Sequence, residues 1–301
     1  MNRELFLLAV LDGISYAALL FLVALGMTLV FGVMRILNMA HGSLYAFGGY
    51  FAATLGLWAA AHGLSPAWSF LWLVVAALVI GAVLGSIMEV LLLRRLYQKE
   101  QILQLLVTFA AFMIFEDLQR MIWGAQPYFV SDIVSYLGVA EIVGITYTRY
   151  QLMVLPGVAL VVFVGLRWFL RSSRTGRQIV AVAHHREVAT AMGIDAKRIC
   201  LLTFVAGSML GALGGALASP TTSLVPGVGA EMIVLSFAVV ATAGLGQIEG
   251  TLVTALLIGL ARSFSVYLQP ELEVLVPYLI MVLVLLFRPQ GLFSVAQARR
   301  V

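Results

Sequence analysis

The chain has 301 residues, of which 62% are hydrophobic and 11% charged, and its mean hydropathy is +1.04. Soluble domains carry roughly a quarter charged residues, so the composition excludes an ordinary soluble protein and predicts an all-α polytopic membrane protein. The net charge of +4 is almost all arginine, with lysine only at 99 and 197; the basic residues lie between apolar runs, a topology signal rather than a nucleic-acid footprint.

Met1-Asn2-Arg3-Glu4 opens onto an apolar run too long for a signal peptide and without a cleavage site before Arg35, so it reads as a retained first span. Membrane helices need about 20 apolar residues, and eight such spans are expected, at 5–34, 41–60, 67–93, 101–123, 150–171, 199–219, 250–268 and 272–288. The apolar segment 232–246 is short and reads as a half-helix that enters the bilayer and turns back. All of 1–301 is then one transmembrane domain.

Arg94, Arg95 and Lys99 follow the third span, Arg167 to Arg198 surround the central loop, and Arg288, Arg299 and Arg300 follow the last span. The positive-inside rule makes all three regions cytoplasmic. Segment 124–149, with Asp132, Glu141 and Arg149, is then extracytoplasmic, and so is the N-terminus.

Two places interrupt the apolar pattern with glycine and polar groups. One is Met34 to Tyr45, with Asn38, His41, Gly42 and Ser43; the other is Ala243 to Thr251, with Gly244, Gly246 and Gln247. Irregular backbone at membrane depth survives only where protein or a watery cavity surrounds it. One such break in each half points to inverted repeats around a central pathway, and these seven residues are the candidate pathway lining. A half-helix starting at Gly42 would turn its free N–H groups toward a carboxylate in transit. Asn38 and His41 would either share that role or only cap and tie the broken helix.

Other charges fall within spans: Asp12, Glu89, Glu116, Asp117, Arg120 and Arg262. Glu89 and Arg120 lie near span ends and are expected to reach the interface, and Glu116 and Arg120 are spaced to pair. No ladder of charges steps across the bilayer, which argues against a proton-coupled pump. His41 has no second ligand nearby for a metal, and Cys200, a single cysteine, allows no internal disulfide. Gly207, Gly211 and Gly215, and likewise Gly81 and Gly85, recur every fourth residue, the mark of close helix packing within the subunit.

Between the fifth and sixth spans lies the polar loop 172–198. From Gly176 to Met192 it suits one amphipathic helix, with Ile179, Val182, Ala183 and Val188 as its apolar stripe, and Gly193 stands where a helix stops. Such a helix can seat in a groove of a partner or lie on the anionic leaflet. Glu187-x-Ala189-x-x-x-Gly193 has the spacing of the loop by which importer permeases hold an ATPase.

Taken in order, four stretches together resemble the permease family of high-affinity branched-chain amino acid ABC importers. They are Gly26 to Gly48 with its Asn38-Met-Ala-His41-Gly42; Arg174-Thr-Gly176-Arg177 through Glu187, Ala189 and Gly193 to Arg198; Gly244-x-Gly246 with Gly250-Thr251; and Phe287-Arg-Pro-Gln-Gly291-Leu-Phe293. The resemblance implies a bacterial inner-membrane protein with a cytoplasmic C-terminus, paired with a second homologous permease. Two ABC ATPase subunits would bind below and a periplasmic solute-binding protein above. Arg177, Glu187, Ala189 and Gly193 would couple to the ATPase. ATP and magnesium would bind there and not to this chain, which has no Gly-x-x-x-x-Gly-Lys-Ser/Thr loop, carries no cofactor and is not itself an enzyme. Ser43 stands where the family often has an acid, and Gln247 and Glu249 replace more usual residues. The substrate is therefore left open among branched-chain amino acids, urea, short amides and aromatic acids.

The alternative is an ion-coupled secondary transporter, which needs carboxylates converging at the midplane; none is evident. A membrane enzyme would need a nucleophile sharing a face with a base, and Ser43 does not share one with His41.

Overall fold

The computed structural model describes residues 3–97, 99–142 and 144–293; Arg299 and Arg300, used above for topology, lie outside them. The chain is almost wholly helical. In order it forms α1 (Arg3–Met34), α2 (His41–Ala61), α3 (Ser69–Met88), a π turn (Glu89–Leu93), α4 (Arg94–Leu96), α5 (Gln101–Trp123) and α6 (Asp132–Leu137). A hairpin of β1 (Val139–Ile142) and β2 (Ile145–Thr148) follows, paired antiparallel with Val139 opposite Thr148. Then come α7 (Leu155–Ser172), α8 (Arg174–His184), α9 (Arg186–Ala191), α10 (Ala196–Ala218), α11 (Val228–Ala243), α12 (Ile248–Leu268) and α13 (Leu275–Phe287).

Among the described residues, seven helical stretches are long and apolar enough to cross a membrane, and α11 and α13 are shorter apolar helices. At the centre, α1 and α10 run antiparallel, pressed together where Gly26 meets Gly207 and Val23 meets Gly214. α12 lies antiparallel on α1, with Gly13 against Leu260, Ala17 against Gly259 and Thr28 bonded to Thr251. α3 lies antiparallel on α10, with Gly81 against Met209 and Gly85 against Ser208. Small residues let these backbones approach, which is how helices associate in lipid. The glycine rows of α3 and α10 are thus consumed inside the subunit.

Since α10 and α12 both oppose α1, they point the same way, and the chain between them must recross the bilayer. Segment 219–227 and α11 make that crossing, so 232–246 does not turn back as expected. With α11 counted, the seven long helices and two shorter ones give nine crossings. The sequence reading of eight spans and a returning half-helix would have put both chain ends on one side, against its own charge assignment.

Crossings two and seven are only partly helical. At Arg35, a non-glycine residue in left-handed backbone (φ 55), the chain leaves α1 and climbs back beside it before α2 begins. His41, the first residue of α2, reaches the carbonyl of Val23, about 16 Å along α1 from Met34. That lies well inside a core of about 30 Å. From the opposite face, 219–227 descends past Tyr128, whose backbone bridges Leu224, to Gly229, packed on Gly42. α1, α2, α3 and α5 are therefore matched in order and packing by α10, α11, α12 and α13, with direction reversed: inverted repeats. The break that mirrors 35–41 is 219–228, and not 243–251 as the sequence suggested.

Candidate functional site

The mid-membrane junction is built from two half-crossings that meet end to end. A methyl group on Gly42 would overlap the Gly229 carbonyl, and one on Gly229 would stand 2.7 Å from the Gly42 carbonyl. The first N–H groups of α2 and α11 thus converge, two positive helix ends at one depth. His41 Nε2 donates to Val23 O at 3.0 Å, its ring filling the space left by Gly26 and Gly211. Asn38 Oδ1 accepts from Ala40 N at 3.1 Å while its Nδ2 finds no partner. Ser43 Oγ, in the first turn of α2, is buried without a partner, and Gln119 of α5 donates to the Ser43 carbonyl. Asn38, His41, Gly42 and Ser43 are all buried within the junction.

Gly244, Gly246 and Gln247 lie elsewhere. They form the turn between α11 and α12 at the far end of α1, where Gly246 packs on Gly32. The segment after α13 locks this turn: Leu292 N and Phe293 N donate to the carbonyls of Thr242 and Ala243, and Phe293 covers Gly250. Glu249 points away from any pathway and pairs with Arg167 at 2.6 Å. A cavity of about 480 Å³ opens here between the end of α1, α8 and the glycine turn, lined by Thr28, Gly32, Arg35, Ala183, His184 and Gly246.

The polar loop 172–198 folds as two helices rather than one. Ser173 caps α8, its Oγ accepting from Gly176 N at 2.8 Å, and Gly176 lets that turn press on the Phe169 carbonyl of α7. The axis breaks at His185 (φ −145, ψ 86), which re-aims α9. Ile179, Val182 and Ala189 face inward as an apolar stripe requires, but Val188, placed in that stripe by one continuous periodicity, is 61% exposed. Met192, one turn on, is 80% exposed. Gly193 (φ +85) ends α9 as expected: Ile194 N bonds Ala189 O and Gly193 N bonds Thr190 O, the double closure of a Schellman turn. The result is a protruding knob with Glu187, Val188 and Met192 outward, Ala189 packed beneath and exposed Arg177 one helix back. The sequence reading did not single out Met192 and placed Val188 in the buried stripe, so this pair of exposed apolar side chains beside Glu187 was not foreseen.

Beside the knob, Glu89 is fully buried instead of reaching solvent as expected, and takes hydrogen bonds from Arg94 and from the Tyr97 hydroxyl. Burial, and the bond to Glu89 after it, push the Tyr97 phenol above its ordinary range. The guanidinium of Arg186, the first residue of α9, covers the Tyr97 ring at 4.9 Å. At the opposite end, Arg262 bonds Glu273 and approaches Glu231 at 3.7 Å, Asp12 accepts from Tyr147 and Tyr267, and Arg120 pairs with Glu116 at 2.6 Å. Among the described residues no group of three or more His, Cys, Asp or Glu is placed to hold a metal ion.

A family model described as the branched-chain amino acid transport system permease component matches residues 9–285. The chain is similar to the high-affinity branched-chain amino acid transport system permease protein LivH of Salmonella typhimurium, 26% identical over 306 residues, covering 98% of each. It is also similar to the permease protein BraD of Pseudomonas aeruginosa, named for the same transport system, 25% identical over 302 residues and 98% of each. Among solved structures, PsaBC of Streptococcus pneumoniae in complex with Fab aligns over 96% of this chain and 91% of that one, with 14% identity and a TM-score of 0.45. A multi-pass helical chain matched by the family model from its first span to its last belongs to the branched-chain amino acid transport system permease family.

Proposed function

We propose that this chain is one of two different permease subunits of an ATP-driven importer for branched-chain amino acids or a close chemical relative. Two ATPase subunits bind its cytoplasmic face, and a periplasmic binding protein delivers substrate to the other. The α8–α9 segment, with Arg177, Glu187, Ala189 and Gly193, is the coupling element. It lies on the cytoplasmic side with the C-terminus, because Arg94, Arg95, Arg174, Arg177, Arg186, Lys197 and Arg198 cluster there. The junction of 35–43 with 219–229 is the gate. Its converging helix ends offer N–H groups to a carboxylate once the half-crossings part. ATP and magnesium belong to the ATPase subunits, and hydrolysis there moves this chain between states.

The observation that carries the reading is the knob: Val188 and Met192 stay exposed on a helix held in place by a cap, a close glycine contact and a Schellman turn. Affinity purification in mild detergent with mass spectrometry tests it. Recovery of an ATPase and a second, similar permease is expected; repeated recovery of the chain alone refutes the assembly.

A further inference from the structure

The buried carboxylate of Glu89 has no part in the junction or the knob, yet it connects them. It opens the π turn Glu89–Leu93, a single wide turn set between α3 and α4. Such turns carry one residue more than an α-turn and recur at functional positions. The carboxylate is 0% exposed and holds two groups that follow it in the chain, Arg94 and the Tyr97 hydroxyl. The face of the Tyr97 ring is covered by Arg186, which comes from the coupling segment. Above the π turn, Gly85 packs on Ser208 of α10. One helical turn further along α10, Gly211 touches the ring of His41 at the junction. An unbroken line of contacts therefore runs from the knob to the gate.

We infer that Arg186, Tyr97 and Glu89 form the transmission link through which the coupling segment displaces α3, the π turn being the element that shifts register. The inference rests on the importer reading. Glu187, the neighbour of Arg186, faces outward to the ATPase while Arg186 faces inward to Tyr97, so one peptide step separates holding the motor from passing on its movement. Buried ionic and polar contacts on α3 specify one arrangement at a time, and a register shift in a π turn offers a second one. These are positioning residues, and nothing in the link touches substrate.

The test uses the complete complex in lipid nanodiscs or proteoliposomes. Tyr97→Phe keeps the ring under Arg186 and removes the hydroxyl from Glu89. Arg186→Ala removes the cation, and Arg186→Lys keeps one over the ring. Four readouts are taken: ATPase copurification, basal hydrolysis, stimulation of hydrolysis by loaded binding protein, and uptake. A fifth is the N-ethylmaleimide labelling rate of Cys200, the chain's single cysteine, buried against Tyr97 and identifiable by peptide mass. The expected result for Tyr97→Phe and Arg186→Ala is normal copurification and basal hydrolysis. Stimulation and uptake should fall on the order of tenfold, within the range of allosteric coupling energies, and Cys200 labelling should no longer respond to nucleotide. Arg186→Lys should retain most coupling. Normal stimulation and uptake in both variants overturn the link. Loss of the ATPase from Arg186→Ala also overturns it, making Arg186 a docking residue while the importer reading stands. Absence of any ATPase from the wild-type complex overturns that reading and the link together.

Discussion

Gly42 and Gly229 touch backbone to backbone at the point where two half-crossings meet, and neither position has room for a side chain. One belongs to each inverted repeat, so the contact sits at the pseudo-twofold centre of the subunit. Two like helix poles face each other there, with no acidic side chain in the first turn of α2 and Glu231 in that of α11. Parting them uncovers the backbone of both glycines at once.

Gly42→Ala should therefore block uptake even though alanine is a better helix former than glycine. The overlap with Gly229 forces the half-crossings apart, an overpacking cost of about 1–3 kcal/mol. Gly157→Ala, in open space on α7, serves as the control and should be neutral or stabilising by about 0.5–1 kcal/mol. Uptake and detergent melting temperature, measured together, separate a jammed gate from a damaged fold; normal uptake by Gly42→Ala would make the contact merely structural.

Glu187→Lys and Val188→Asp should each weaken ATPase docking at least about tenfold, as truncation of an interface anchor does. Both side chains are exposed and touch little of the chain itself, so membrane insertion should be unaffected. Copurification at fixed expression level reads the effect; undiminished recovery of the ATPase from both variants would remove the knob from the interface.

Ser173→Ala removes the cap from α8 and should cost about 1 kcal/mol of local stability. Hydrogen exchange at the amides of Gly176 and Arg177 should quicken by roughly fivefold, by the same energy, while exchange in α10 stays unchanged. Uniform acceleration through the chain would show that the cap stabilises the whole bundle.

Topology is open to direct assay. A fluorescent protein fused after Val301 should glow, and alkaline phosphatase inserted in the extracytoplasmic hairpin near Gly144 should be active. The reverse pattern would invert the subunit and place the knob on the wrong face for an ATPase.

Much of this was legible before any fold was known. The long spans followed from hydropathy, Gly193 from its place after a helical run, and the packing role of Gly207, Gly211 and Gly215 from their spacing. The second break was missed because 219–227, Ser-Pro-Thr-Thr-Ser-Leu-Val-Pro-Gly, has no periodicity and looks like any surface loop. Its signal was the helix after it: α11 has 16 residues, too few to cross alone. Val188 was misplaced because nothing local marks His185 as a break; the turn there is imposed by packing of Ile179 and Ala189 on the spans above. Glu89 was misjudged because nearness to a span end says nothing of whether a tyrosine and an arginine wait to bury it.

The inverted repeat also accounts for α7, which has the smallest buried share of the seven long spans, 11% over its most apolar window. A unit of four crossings ends on the side where it began. A second such unit joined directly to it would start in the same orientation and reproduce the first instead of mirroring it. One surplus crossing is needed to turn the second unit over, and α7 is that crossing. Val161, Val164 and Trp168 stay exposed on its outer face, so the span that turns the second unit over lends little to the core between the two.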